Sequence, residues 1–373
     1  MIKLSRGSLG EEELEEVRSA FEYGYFGLAA KVDEFENELK LFLGAQHVIA
    51  TNTGTSALHL AMDAVEIGAG DEVIVPSLTF VASFQAISAT KAIPIPCEIE
   101  PDTLLLDLKD VRNKITKKTK AIMPVHYAGN PCNMDSLLEI KKQYGIRIIE
   151  DAAHAFASSY KGKMIGSFGD ITCFSFDSIK NITCGEGGAI AFNDPSLHSI
   201  FRKKRLLGID RESQTSASWK ERNWLYDVTT MGFRYHMSNI NAAIGLAQIK
   251  KVKSFVARRR EICQQYDSAF KGWAGLRFLP INYTTAAPHI YVILVSGGKR
   301  DGLMQFFKDN DIETGVPYIP NHLHSYYKQD TFKLPVTEKV FDEILALPLH
   351  TELSNTDIEY VIASAKEFFD QNA

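Results

Sequence analysis

Two residues carry the sharpest chemical signal in this chain. Asp151 closes the apolar run IRIIED, and Lys180 follows 29 residues later, inside FSFDSIKNITCGEGG and just past the apolar run ITCFSF. Each alone is ordinary. An aspartate at a strand end reads equally as the N-cap of a helix in the following AAHAFA, and a lone lysine is usually a solvated one. Together they suit one kind of chemistry, in which an aromatic aldehyde cofactor needs an amine for a Schiff base and a carboxylate to keep its pyridine nitrogen protonated. The protonated ring draws electrons from a substrate carbanion while the freed amine shuttles the proton. Lys180 and Asp151 are therefore read as the catalytic pair of a pyridoxal 5'-phosphate enzyme.

The phosphate of such a cofactor needs a cradle. TNTGTSALHLAMDAV offers Gly54 for close backbone approach, the hydroxyls of Thr55 and Ser56, and a helix expected from about Ala57, whose free N–H groups and dipole favour a dianion. A Gly-Thr-Ser turn before a helix is also an ordinary cap. Ser175 is a second phosphate candidate, and Phe80, in PSLTFVAS, is a candidate to lie flat on the ring.

Between about residues 47 and 195, apolar runs (HVIAT, DEVIVPS, AIPIPCEI, KAIMPVHY, IRIIED, ITCFSF, GAIAF) alternate with helical stretches. That is the pattern of an α/β fold with a mostly parallel sheet covered on both faces, whose ligands bind at the carboxyl ends of the strands. Ser8 and Glu11 suggest a capping box for a first helix, with Leu14, Val17 and Phe21 on its apolar face. KKVKSFVARRREICQQYDSAF reads as a long basic helix, HIYVILVS as a strand, and the segment after Ser354 as an amphipathic helix. The expected division is a large cofactor-binding domain, 1–250, and a smaller α+β domain, 251–373.

The bulk composition excludes several classes. With 373 residues, 45% hydrophobic and 23% charged, the chain is globular, and its net charge of -5 argues against a nucleic-acid partner. Cys97, Cys132, Cys173, Cys184 and Cys263 are odd in number and never spaced C-x-x-C, which fits a reducing compartment rather than a disulfide framework or a zinc knuckle. No apolar run approaches the roughly 18 residues of a membrane span, and the N-terminus turns acidic too early for a signal peptide. The expectation is a cytoplasmic protein without a metal site. No G-x-G-x-x-G follows the first strand, which removes the dinucleotide-dependent oxidoreductases.

Gly54-Thr55, TFVAS, EDAAHAF, FSFDSIKNITCGEGGAI and GFRYHMSNINAAIGLAQI stand in the order and context of the nucleotide-sugar aminotransferases, and in these motifs the chain resembles that family through nearly its whole length. The resemblance implies a fold-type-I pyridoxal-phosphate transferase related to aspartate aminotransferase. It matches Lys180 to the Schiff-base lysine and Asp151 to the pyridine-nitrogen partner. It matches Thr55, Ser56 and Ser175 to phosphate contacts, Phe80 to the stacking aromatic, and His154 to a residue, commonly glutamine, near the cofactor's 3-hydroxyl. Asn181 and Glu186 take supporting places. It implies a homodimer with shared active sites, L-glutamate as amino donor and a nucleotide-linked keto-deoxyhexose as acceptor, in amino-deoxysugar biosynthesis for a surface polysaccharide or glycan such as a lipopolysaccharide O-antigen.

Three departures from the family pattern stand out. The usual G-Y-N-Y-R element reads Gly232-Phe233-Arg234-Tyr235-His236, placing Arg234 where an asparagine crosses the dimer interface to the phosphate. Asp177 replaces a frequent histidine, and YFGLAAKV replaces T-T-G-P-K-V. Relatives that dehydrate carry histidine in place of the lysine, so Lys180 speaks against that chemistry; a regulator that binds the cofactor without turnover is a further alternative. Val125-His126-Tyr127-Ala128-Gly129 resembles the H-Y-A-G form of carbon-4 enzymes rather than the H-L-Y-G form of many carbon-3 enzymes. The physical reason expected is that small Ala128 and Gly129 open the substrate cavity, with His126 either facing the sugar or structural.

Overall fold

The computed structural model describes residues 1–210 and 226–372. The seven expected apolar runs are the seven strands of one central sheet: β1 (His47–Thr51), β2 (Glu72–Pro76), β3 (Ile93–Cys97), β4 (Thr119–Ile122), β5 (Arg147–Asp151), β8 (Ile171–Ser175) and β9 (Gly188–Phe192). β6 (Ser159–Tyr160) and β7 (Lys163–Met164) form a short hairpin between β5 and β8. The sheet order is β1-β9-β8-β5-β4-β2-β3. Pairing is parallel from β8 through β3, whereas β9 runs antiparallel to both β8 and β1. GAIAF is as fully buried as its neighbours, so its apolar pattern reports burial and carries no direction. Beyond the sheet, β10 (Ile209–Asp210) and β11 (Asp227–Val228) pair with each other as a short antiparallel ribbon.

The helices divide the core into layers. α2 (Ala30–Leu43) and the long helix Asn239–Phe270 cover one face; α3 (Gly54–Ala64) and α4 (Val81–Ala89) cover the other. A third core gathers the end of the long helix, the small antiparallel sheet β12 (Leu276–Phe278), β13 (Tyr291–Val295) and β14 (Ile344–Leu347), and the C-terminal helix Asn355–Gln371. The predicted basic helix is the latter part of the 32-residue one, so position 250 lies inside a continuous helix. The C-terminal helix starts as expected, Ser354 and Asp357 forming its capping box.

Two expectations fail at α1 (Glu11–Tyr23). Its N-cap is Gly10, whose amide donates to Glu13, while the Ser8 hydroxyl donates to Glu352. Leu14 and Phe21 are exposed, and Glu13 and Ala20 are the buried residues. The helix packs on the long helix through ion pairs instead: Lys251 binds both Glu12 and Glu13, and Gln248 donates to Glu13. The buried face is thus the one that carries the fully partnered Glu13 and Ala20, and the face bearing Leu14 and Phe21 is turned outward.

Candidate active site

The parallel strands end on one edge of the sheet, and the chemistry gathers there. Gly54, Thr55, Phe80, Asp151, His154, Ser175 and Lys180 all line one cavity of about 440 Å³, with Tyr318 and Glu186 on its walls.

Asp151 is the last residue of β5, and the segment after it is a series of turns rather than a helix, so the capping role does not arise. Its Oδ2 accepts from the Ser83 hydroxyl at 2.7 Å and its Oδ1 from the Ala153 amide at 3.1 Å. Two donors, one on each oxygen, hold the buried carboxylate in one orientation. Lys180 reaches the cavity from the loop between β8 and β9. Burial lowers its amine to about 8; Asp151 and Asp177 oppose the shift and Arg259 adds to it. The amine is therefore neutral far more often near physiological pH than that of an ordinary lysine, as a proton-shuttling amine requires. Nζ lies 3.3 Å from His289 Nε2.

The phosphate-cradle residues are arranged differently from expectation. α3 starts at Gly54, because Thr53 is the N-cap: its hydroxyl takes the Ser56 amide at 3.0 Å and its carbonyl takes that of Ala57 at 3.1 Å. The amides of Gly54 and Thr55 are left as first-turn donors at the positive end of the helix dipole. Gly54 is needed for closeness: a Cβ there would stand 2.8 Å from Ser175 Cβ. The Ser56 hydroxyl is spent inside the cap, donating to Asn52 Oδ1 at 2.5 Å, and Ser56 is buried outside the cavity. Gly54, Thr55 and Ser175 remain as the cradle.

Other walls fit a flat, polar-edged ring. Phe80 is 55% exposed, with its ring 5.5 Å from that of Tyr318. The Nε2 of His154 lies 3.0 Å from the Tyr318 hydroxyl, and its Nδ1 is buried without a protein partner. Burial, with Lys180 nearby, holds His154 neutral. Asn181 does not line the cavity. Its amide donates to the carbonyls of Phe156 and Ala287, tying the lysine loop down. These residues fit a pyridine-ring phosphate: carboxylate, amine, aromatic wall and anion cradle share one cavity.

Besides Ser56 and Asn181, two further residues singled out in the sequence lie outside this cavity, Arg234 being the one expected to reach the partner subunit's phosphate. Arg234 is exposed and lines a separate cavity of about 360 Å³ beside Arg205 and His236. His126 is fully buried, with Nε2 2.9 Å from Glu150 and Nδ1 accepting the Cys132 amide at 3.0 Å; it is structural. Ala128 and Gly129 are also buried away from the cavity. Gly129 has φ +85°, and a Cβ there would come 2.1 Å from the Ala287 carbonyl oxygen. These small residues admit a neighbouring backbone, not a substrate, so the space argument for carbon 4 falls. The five cysteines are free and buried, among the described residues no His/Cys/Asp/Glu group suits a metal, and no helix is long and apolar enough to cross a membrane.

The comparison with known proteins decides the family: the model of the DegT/DnrJ/EryC1/StrS aminotransferase family matches residues 8–366. The chain belongs to this family. Its fold is that of solved sugar aminotransferases. TlmJ, an aminotransferase from Streptoalloteichus hindustanus, is 33% identical with a TM-score of 0.93, over 100% of this chain and 99% of that one. The putative sugar aminotransferase Spr1654 from Streptococcus pneumoniae, in its PMP form, is 31% identical with a TM-score of 0.93 over 100% of both chains, and it has also been solved in a PLP form. Helicobacter pylori PseC, an aminotransferase involved in pseudoaminic acid biosynthesis, is 25% identical with a TM-score of 0.92 over 99% of both.

Proposed function

We propose that this family member is a pyridoxal-phosphate-dependent aminotransferase that moves an amino group from L-glutamate to a nucleotide-linked 4-keto-6-deoxyhexose, in amino-deoxysugar biosynthesis. The observation that carries the reading is the meeting of a part-neutral Lys180 amine and a doubly hydrogen-bonded Asp151 carboxylate in one cavity at the strand ends. When bound, the cofactor supplies an aldehyde carbon that takes up amines and a ring that draws electrons from the substrate carbon. Asp151 holds a proton at the ring nitrogen. Lys180 Nζ would take up the proton leaving the donor carbon as that carbon gives up its nitrogen, and in the second half-reaction would supply the proton to the acceptor carbon that receives the nitrogen. The Gly54 and Thr55 amides and the Ser175 hydroxyl bind the phosphate, and Phe80 covers the ring and excludes water.

The reading includes a cytoplasmic homodimer in which Arg234 of each subunit serves the other subunit's phosphate; its exposure outside its own subunit's cavity supports this. Carbon 4 rests on the His126–Gly129 form alone. The test is spectral and then chemical. The protein with added pyridoxal phosphate is expected to be yellow and to shift its absorbance on adding glutamate; a colourless protein overturns the reading. Offered nucleotide-linked 4-keto-6-deoxyglucose and its 3-keto isomer, with products identified by NMR, it is expected to favour the first at least about tenfold in kcat/KM, about 1.4 kcal/mol. Preference for the 3-keto isomer overturns the regiochemistry alone.

A further inference from the structure

Lys180 has a partner that its neighbourhood in sequence does not reveal. The Nε2 of His289 lies 3.3 Å from the lysine Nζ, across 109 residues of chain. His289 is 3% exposed, and its other ring nitrogen, Nδ1, has no partner. Its backbone is held at both ends: the amide donates to Ala128 O at 3.3 Å, and the carbonyl accepts from Arg259 Nη1 at 3.1 Å. Two residues back, Ala287 donates to Ser158 Oγ at 2.9 Å and accepts from Asn181, the neighbour of Lys180, at 3.1 Å. The imidazole and the lysine are thus mounted on one braced frame.

The unpartnered Nδ1 selects a tautomer. A proton on Nδ1 would be a buried N–H with no acceptor, a rarer and costlier arrangement than an unused lone pair. The proton belongs on Nε2, facing Lys180, and only an uncharged amine presents a lone pair to that N–H; an ammonium would set donor against donor. We propose that His289 is a positioning residue for Lys180, donating from Nε2 to the lysine Nζ and parking the unbound amine with its lone pair engaged and its direction fixed. The proposal rests on Lys180 being the amine that takes the cofactor. The charged and titratable groups around the pair are consistent with it. Burial, Lys180, His154 and Arg259 all hold His289 neutral; Asp151 and Asp177 favour the charged lysine, and burial and Arg259 oppose them.

The test reads the amine in the cofactor-free protein. Competitive acylation of the lysines over a pH series, followed by mass spectrometry, gives the titration of Lys180 against the other lysines. In His289→Phe, which keeps a ring but removes the N–H, the midpoint of Lys180 is expected to rise by about half to one unit, so that its labelling rate at pH 7.5 falls about three- to tenfold. An unchanged or faster rate in the folded variant overturns the proposal. A measurement on the parent chain guards against a variant that does not fold: long-range ¹⁵N correlation of labelled histidine should show His289 protonated on Nε2, its signal identified by displacement in Lys180→Met. Protonation on Nδ1 overturns the proposal equally. The absorbance band of added pyridoxal phosphate, and its loss in Lys180→Ala, judges the underlying reading separately. If the band never forms, that reading fails; if it forms and the lysine titration does not move, only the role of His289 fails.

Discussion

Gly54→Ala isolates the phosphate cradle from the rest of the site. The new Cβ would sit 2.8 Å from Ser175 Cβ, 3.1 Å from its Oγ and 3.2 Å from its Cα. Carbon atoms in contact want about 3.5–4.0 Å, so α3 and the end of β8 must separate by several tenths of an ångström or more, and a side-chain rotation cannot relieve contacts to Cα and Cβ. Overpacking of this kind costs about 1–3 kcal/mol, offset by up to about 1 kcal/mol from replacing glycine in a helix. The expected net loss in the cofactor-free protein is about 0–3 kcal/mol, read from urea unfolding. The same separation moves the Gly54 and Thr55 amides away from the Ser175 hydroxyl, so the affinity for pyridoxal phosphate should fall about ten- to a hundredfold, or about 1.4–2.7 kcal/mol. Fluorescence titration of the apoprotein measures it. A variant that loses stability yet binds the cofactor like the parent refutes the reasoning: the close approach would then serve packing and not the phosphate.

Asp151→Asn should keep the fold and the cofactor, since an amide fits the space and still accepts from Ala153, but should slow turnover by about a thousandfold or more; activity within about tenfold of the parent would reduce Asp151 to a structural role. Mixing inactive Lys180→Ala with inactive Arg234→Ala subunits should restore activity after subunit exchange, because one site per heterodimer keeps both groups; no recovery counts against shared sites. The depressed Lys180 also sets a pH dependence for the apoprotein. Below about pH 8 both folded and unfolded chains hold the proton and the fold carries the cost of a buried charge. Between about 8 and 10.5 only the unfolded chain keeps it, so stability rises with pH through that window and levels off above it. Relative to Lys180→Met, the parent should gain about 2 kcal/mol across the window, after allowing for solvent around the half-buried side chain; no gain would mean that the amine is not desolvated.

What can be read from the sequence, and what cannot, follows from the range of each interaction. The seven strands are legible because mostly buried strands read as short apolar runs, and Asp151, Ser175 and Lys180 because they sit at or just beyond strand ends. The antiparallel course of β9 is hidden, since burial is the same in either direction. The start of α3 is read too late because Thr53, not Ser56, is the cap. Partners distant in sequence stay invisible: Ser83 reaches Asp151 across 68 residues, and His289 reaches Lys180 across 109. Ser83 nonetheless lies within the TFVAS motif, and His289 opens the apolar run HIYVILVS. Tyr318 has no such marker.

The long helix has a consequence for how the molecule comes apart. Its first half places Ala242, Leu246, Ile249, Val252 and Val256 in the core under the main sheet, and its second half places Ile262, Cys263, Tyr266 and Phe270 in the core around β13. Between them Arg259 binds the carbonyls of His289 and Leu349. One rigid rod is thus a structural member of both hydrophobic interiors, so neither can melt without stripping the other of a wall. Loss of order in the C-terminal third would travel along this rod to the strand-end loops and release His289 from its seat beside the reactive amine.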